Sequence, residues 1–479
     1  MHVATLTAAY RRPRRWAAVA AAAAGVLAVA PPLVNAALSP VVSAGTVNWS
    51  GAVTARLQAD AYGLNVSSSD PNMTDPAAVR LMKALHIGLL RYPGGSLSDT
   101  YNWETGSILP SGFRAFAKEL KAIGARGLIT ANYGTGSTAL AAAWVKYAKK
   151  IGAPIAYWEI GNEVYGNGFY PGWDWEADYH SNHSPSFYGQ ESQLYIRAMR
   201  RENPTLDAGL AFVYPWGSEP ARPSGNVNWD QVLLSTVKHR IGFIDMHDYP
   251  AGPTTTDQQL LSLADAVPAT MRTVKANLRA ILGPGKLPTT IIGELNSNAN
   301  APGPQSISAA GGLFLIQNYL AFLANGASSV AWWDLHGNTP YVANVQPGQV
   351  VQTNYGDFGL LSSGQSPEPA VDTPFLTYWA FRMMTDAIPP GDQLVRATAL
   401  TPSVWAMGFR NPENGIRGLL VVNVTPGETV SVRLANAGGA TGPGRIERFG
   451  PKGLQAWTTW AGGTVTLGAY SAVAVEFRP

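Results

Sequence analysis

The chain has 479 residues, of which 46% are hydrophobic and 14% charged, with a formal net charge of +3. That length allows a large core and more than one domain, and the small charge, with no Lys/Arg cluster past the N-terminus, argues against nucleic acid as a partner. No cysteine is present, which excludes a disulfide framework, a thiol nucleophile and a thiolate metal site.

Arg11, Arg12, Arg14 and Arg15 precede a run from Trp16 to Ala30 that is nearly all Ala, Val and Leu, followed by Pro31-Pro32 and Val34-Asn35-Ala36. A basic stretch, an apolar stretch and a small-residue cleavage site make an export signal. The apolar run is shorter than the roughly 20 residues of a membrane span, which argues against the alternative, an uncleaved anchor. Residues 1–36 are therefore expected to be removed, giving a secreted protein, extracellular or periplasmic, with no membrane association after cleavage.

Alternating Val47, Trp49, Val53 and Leu57 predict an N-terminal hairpin in residues 37–60 whose partner strands come from the C-terminal region. Over residues 61–388 strand-like and helix-like segments alternate as in βα units. Candidate strands end at Asn65, Tyr92, Tyr133, Glu163, Tyr214, Tyr249, Glu294 and Trp333, and eight of them imply a closed (β/α)8 barrel. Helices are expected over Phe113–Ile123, with Lys118, Glu119 and Lys121 on the outer face, and over Ala139–Ile151, Tyr188–Arg201, Trp229–Arg240, Gln258–Leu282, Ile307–Ala324 and Phe375–Ala387. Pro268 should kink or split the fifth of these. After Pro389-Pro390 the texture changes to short β-branched strands and Gly/Pro/Asn turns, so 389–479 reads as a small C-terminal β-sandwich that recruits the N-terminal hairpin.

The chemistry is expected where strands end. Ile-Ala-Tyr-Trp-Glu-Ile runs into Gly161, Asn162 and Glu163, and Pro-Thr-Thr-Ile-Ile-Gly runs into Glu294, putting two carboxylates at the tops of strands four and seven across the barrel mouth. Paired carboxylates are what glycoside hydrolysis requires, one to protonate the leaving oxygen and one to attack or to activate water. Glu159, four residues before Glu163, reads as a buried ion-pair partner. Trp332 and Trp333 end strand eight, and only one of two neighbours on a strand can face the mouth and stack on a sugar. The loop carrying Tyr165, Phe169, Tyr170, Trp173 and Trp175 either walls the pocket or packs on itself. Asp178, His180 and His183 read as a solvated loop group, and no metal or cofactor is expected.

Arg91-Tyr-Pro-Gly-Gly, Tyr101-Asn-Trp, the Trp-Glu-Ile-Gly-Asn-Glu ending at Glu163, His247-Asp-Tyr249 and Gly293-Glu294 together resemble glycoside hydrolase clan A, nearest to the α-L-arabinofuranosidases. The resemblance implies a retaining double displacement with Glu163 as acid/base and Glu294 as nucleophile, on an oligosaccharide or polysaccharide. It also implies that Asn162 bonds the sugar 2-hydroxyl, that Arg91 and Tyr249 hold Glu294, and that His247 lines the same wall. Two departures bear on substrate: Gly94-Gly95-Ser96 stands where those enzymes have Gly-Gly-Asn, and Val-Tyr-Gly-Asn-Gly follows Glu163 in place of Met-Asp-Gly. Heparanase-like β-glucuronidases and β-xylosidases share the scaffold. A carbohydrate-binding pseudoenzyme would have lost a carboxylate, and a metal-dependent hydrolase would need more strand-end ligands than His247.

Overall fold

The computed structural model describes residues 41–106, 111–300, 302–337, 340–436, 439–440 and 442–477. The export signal read at 1–36 lies outside the described residues. Eight parallel strands close into a barrel: Tyr62–Asn65, Leu89–Tyr92, Arg126–Ala131, Ile155–Ile160, Asp207–Phe212, Phe243–Asp248, Thr289–Leu295 and Ala327–Trp332, here numbered one to eight. Each pairs with the next and the eighth with the first, as the alternation of strand-like and helix-like segments predicts.

Strand periodicity explains the barrel interior. Leu89, Leu128, Phe243 and Ile291 form a dry layer near its base, with Tyr157 packed against them. Two residues further along strands two, three, four and six stand Arg91, Thr130, Glu159 and Asp245, all buried. An apolar floor thus gives way to a charged layer beneath the mouth.

Helices surround the barrel close to the expected positions: Phe113–Ile123, Thr138–Lys150, Pro185–Glu202, Trp229–Val237, Val267–Leu282, Ala309–Ala324 and Leu376–Ala387. Gly124, at φ 80, ends the first of these in the left-handed conformation that glycine tolerates. Pro268 splits the predicted long helix by starting a new one, in the first turn where its missing N–H is not needed. Glu119 is a correction: it is buried, both oxygens lack a hydrogen-bond partner, and burial pushes its carboxyl up to about 9. Helix Pro76–Ala84, which the sequence analysis does not name, packs alongside Phe113–Ile123.

The N-terminal hairpin is also corrected. Val41–Arg56 is one 16-residue strand that pairs antiparallel with Gln393–Ala399 and parallel with Thr429–Asn436. A register shift lies between Trp49 and Val53, with Gly51 at φ 76, so the extra residues are absorbed as a bulge and the chain does not turn back. Its partners are C-terminal, as expected. They belong to one ten-stranded sheet whose distant strands share an apolar core, among them Val432, Leu434, Ile446 and Val475.

Alternation also joins sheet to barrel. Along Arg417–Asn423, Leu419 and Val421 face the sheet's own core while Leu420 and Val422 join the barrel's cluster. Helix Ala309–Ala324 lies in that shared region, buried on every side, with Gly312 against Ala380 and Phe449. Among the described residues no helix is long and apolar enough to cross a membrane.

Candidate active site

The charged layer is centred on Arg91, fully buried at the end of strand two. Its Nε and Nη2 donate to Glu159 Oε2 at 3.1 and 2.9 Å, Nη1 to Glu294 Oε1 at 2.7 Å and Asn65 Oδ1 at 3.1 Å, and Nη2 to Asn162 Oδ1 at 2.7 Å. Burial alone would push the guanidinium down, but its carboxylate partners, chiefly Glu159 and Glu294, more than offset this and hold it protonated. Removing the cation would leave buried carboxylates uncompensated, a cost of roughly 3–5 kcal/mol. Glu159, with Thr130 Oγ1 donating to it at 2.7 Å, is the ion-pair partner that the sequence reading expects.

Asp245 behaves differently. It lies 3.6 Å from Arg91 Nε with neither oxygen hydrogen-bonded, and burial, reinforced by Glu159, pushes its carboxyl well above the usual range. A neutral acid fits this position better than an ion pair, because Arg91 is already committed to Glu159 and Glu294.

A bulge brings Glu294 to the mouth. From Ile291, strict alternation would turn Gly293 inward and Glu294 outward, but Ile292 pairs with Met246 and Glu294 with His247, so Gly293 is an extra residue. A Cβ on Gly293 would meet Asp245 Oδ2 at 2.2 Å, hence glycine. Glu163 arrives by another route and corrects the expected strand end: strand four stops at Ile160, Gly161 turns at φ 74, and Glu163 itself sits at φ 37. Left-handed backbone at a residue with a Cβ is strained, and such strain concentrates at functional positions.

The two carboxylates face one another. Single ligand atoms of Glu163, His247 and Glu294 lie within 4.8 Å of one another. His247 Nδ1 is 2.8 Å from Glu163 Oε1, Trp175 Nε1 donates to Glu163 Oε2 at 2.7 Å, and Tyr249 Oη donates to Glu294 Oε2 at 2.6 Å. Burial pushes the Glu163 carboxyl up, yet the bond and charge of His247, with donors from Trp175 and Tyr165, prevail and hold it below its ordinary value. His247 is the counterpart: burial opposes its charge, while Glu294 and Glu163 raise it to about 9. By spacing alone this triad, or that of Glu159, Asp245 and His247, could ligate a cation. In the first triad the donors already in place claim the oxygens, Arg91 and Tyr249 those of Glu294, His247 and Trp175 those of Glu163.

Of the aromatic candidates, Trp333 is half-buried at the mouth and its ring lies over Gly95, where a Cβ would approach it to 2.6 Å. Trp332 is a correction: it is buried behind the strand against Phe314 and Tyr319, with Nε1 bonded to Phe358 O at 3.2 Å, because neighbours on a strand face opposite ways. The loop after strand four packs on itself, Trp173 meeting Tyr165 and Tyr170, and on Trp229 through Tyr165, Phe169 and Tyr170, and it also delivers Tyr165 and Trp175 to Glu163. His180 bonds Asp178 at 2.7 Å and stacks on Tyr133, and His183 bonds the His180 carbonyl, so this group is tied into the loop.

Four residues of the cluster escaped the sequence reading. Asp245 carried a signal, lying two residues before His247 on one strand face. Asn65 also ended a predicted strand. Asp99, which accepts from the backbone N–H groups of Asn162, Tyr133 and Gly134, and Glu176, which bonds Asn162, lie in loops where no periodicity applies.

No protein-family model matches the chain. Among curated proteins it is similar to the intracellular exo-α-(1→5)-L-arabinofuranosidase of Acetivibrio thermocellus, 22% identical over 244 residues that make up 44% of this chain and 46% of that protein. It is also similar to the α-L-arabinofuranosidase C of Emericella nidulans, 24% identical over 200 residues, 35% of this chain and 36% of that protein. The chain thus spans less than half the length of these curated relatives. Among solved structures, the α-L-arabinofuranosidase of Thermotoga maritima superposes with a TM-score of 0.66 at 15% identity, covering 91% of this chain and 100% of that one. The GH51 arabinofuranosidase of Xanthomonas axonopodis pv. citri gives 0.68 at 14%, over 90% and 100%. A family 44 endoglucanase of Clostridium gives 0.63 at 13%, over 91% and 100%. The likeness to arabinofuranosidases read from the motifs is found again in these comparisons, and the barrel with its attached sheet is the fold they share.

Proposed function

We propose that the protein is a retaining glycoside hydrolase that acts on a neutral sugar, in the first place an α-L-arabinofuranosidase. The observation that carries this reading is that carboxylate oxygens of Glu163 and Glu294 lie within 4.8 Å of one another, Glu294 at the top of strand seven and Glu163 in the turn after strand four. Retaining enzymes hold their carboxyl groups about 5–5.5 Å apart, whereas inverting ones leave about 6.5–9.5 Å for a water. In the first step Glu294 attacks the anomeric carbon while Glu163 gives its proton to the departing oxygen; in the second Glu163 takes a proton from the water that releases the sugar. Arg91 and Tyr249 donate to Glu294 and favour the carboxylate needed for attack.

His247 and Trp175 hold the Glu163 carboxyl below its ordinary value, so its acid role needs a source of protons. His247 supplies one across 2.8 Å. A sugar that displaces water from the mouth raises the cost of the ion pair and favours the neutral pair, with the proton on Glu163. A β-glucuronidase, the alternative on this scaffold, must accommodate a substrate carboxylate. The cations of this cluster, Arg91 and His247, are already engaged by Glu159, Glu294 and Glu163, which favours a neutral sugar. The basic-then-apolar N-terminal stretch supports export, so the substrate is taken to be an extracellular or periplasmic oligosaccharide or polysaccharide.

The test is proton NMR of the first-formed sugar from an aryl α-L-arabinofuranoside, alongside a panel of aryl glycosides. Retained configuration is expected. An inverted first product would end the double-displacement reading, and activity confined to the aryl β-glucuronide would move the assignment to the alternative.

A further inference from the structure

The departure at Gly94-Gly95-Ser96 has a counterpart in the loop after strand four. Ser96 Oγ donates to Glu176 Oε1 at 2.7 Å, and Asn162 Nδ2 donates to the same oxygen at 2.8 Å. The Asn162 side chain is therefore held from both ends, its Oδ1 accepting from Arg91 Nη2 at 2.7 Å, while its backbone N–H is fixed on Asp99 at 2.9 Å. A flipped amide would set its NH2 against Arg91 and its oxygen against Glu176 Oε1, losing both bonds.

We propose that Glu176, braced by Ser96, is a positioning residue that locks the amide plane of Asn162, so that the second Nδ2 hydrogen is presented to the sugar hydroxyl next to the reacting carbon. The proposal rests on the glycosidase reading. It follows from three observations. Glu176 is 7% exposed, its one bonded oxygen accepts two donors, and its other oxygen is buried without a partner. That pattern suits a carbonyl-like Oε1 with the proton on Oε2, and burial, with the charges of Asp99 and Glu163, pushes the carboxyl up to about 10 against the two hydrogen bonds. As a neutral acid, Glu176 orients Asn162 without placing a further charge beside the two candidate catalytic carboxylates.

The test compares an aryl α-L-arabinofuranoside with its 2-deoxy counterpart. Deleting a buried hydrogen-bond partner and leaving the other unsatisfied should lower kcat for the hydroxylated substrate in Glu176→Ala by about 10- to 100-fold, with little change in KM. Glu176→Gln, which keeps the accepting oxygen, should restore most of that loss. Ser96→Ala, at an exposed position, should show a smaller loss of the same kind, so the test stands even where Glu176→Ala folds poorly. On the 2-deoxy substrate the losses should disappear, and Glu176→Ala should add nothing in an Asn162→Ala background. Equal losses on both substrates, or a Gln variant as impaired as the Ala variant, would overturn the positioning role. Glu163→Ala and Glu294→Ala are run in parallel: full activity there would sink the glycosidase reading itself, a result separate from any Glu176 outcome.

Discussion

His247 Nδ1 lies 2.8 Å from Glu163 Oε1 and 3.6 Å from Glu294 Oε2, so a single imidazole faces both carboxylates of the mouth. Its Nε2 is buried without a hydrogen-bond partner, which leaves the shared proton on the Nδ1 side. If His247 is the proton reserve for Glu163, His247→Asn should harm substrates in proportion to their need for acid. An alkyl glycoside should lose on the order of 100-fold more kcat/KM than an activated aryl glycoside, within the range of general acid effects. Equal fractional losses on both would mean that His247 only packs the wall.

The two neighbouring tryptophans should separate stability from binding. Trp332 is buried against Phe314 and Tyr319, so Trp332→Ala should cost about 3–5 kcal/mol of stability in a denaturant titration. Trp333 is half-buried at the mouth, and Trp333→Ala should leave the melt nearly unchanged while raising KM by roughly tenfold, the scale of one ring contact. The reverse pattern would contradict the strand facing described here.

Stability should fall as pH rises from about 5 to about 9. Burial raises Glu119 to about 9 and Glu176 to about 10 from 4.5, and Asp99 to about 7 from 3.8. Each binds its proton more tightly folded than unfolded, so its share of stability is full below the unfolded value and is lost as pH climbs through the folded one. His247 acts in the same sense, full below 6.5 and lost through about 9, although burial opposes its charge. Glu163, lowered from 4.5, runs the other way and is lost only on acidification. The measurement is the thermal midpoint across this range, and a midpoint that rises towards pH 9 would contradict the neutral buried acids.

Much of this was legible in the chain because periodicity reports burial. Parallel strands covered on both faces read as apolar runs, and the breaks in those runs pointed to Glu294 and to within three residues of Glu163, while Arg91 and His247 were singled out by the resemblance of their motifs. What periodicity cannot encode was missed or misplaced. Glu294 turns inward only through the bulge at Gly293, Glu163 only through positive φ at Gly161 and at itself, and the expected hairpin is one strand that passes Gly51 through a bulge. Glu119 obeys helical spacing and is nonetheless buried, because tertiary cover and not the helix's own period decides exposure. Glu176 and Asp99 reach the site from loops, where contact is set by the barrel's closure and leaves no local signature.

The central claim is that Glu294 is the nucleophile and Glu163 the acid/base, and azide rescue of the two alanine variants tests it most directly. Glu294→Ala should lose about 10^4-fold or more on every substrate, since no covalent intermediate forms. Glu163→Ala should still react with an aryl substrate whose phenolate leaves without a proton, then stall for want of a base to activate water. Azide needs no base, so it should restore turnover in Glu163→Ala and give a glycosyl azide of retained configuration, and in Glu294→Ala give the inverted azide by direct attack. The opposite stereochemistry would exchange the two roles, and full activity in either variant would contradict the assignment of these carboxylates as the catalytic pair.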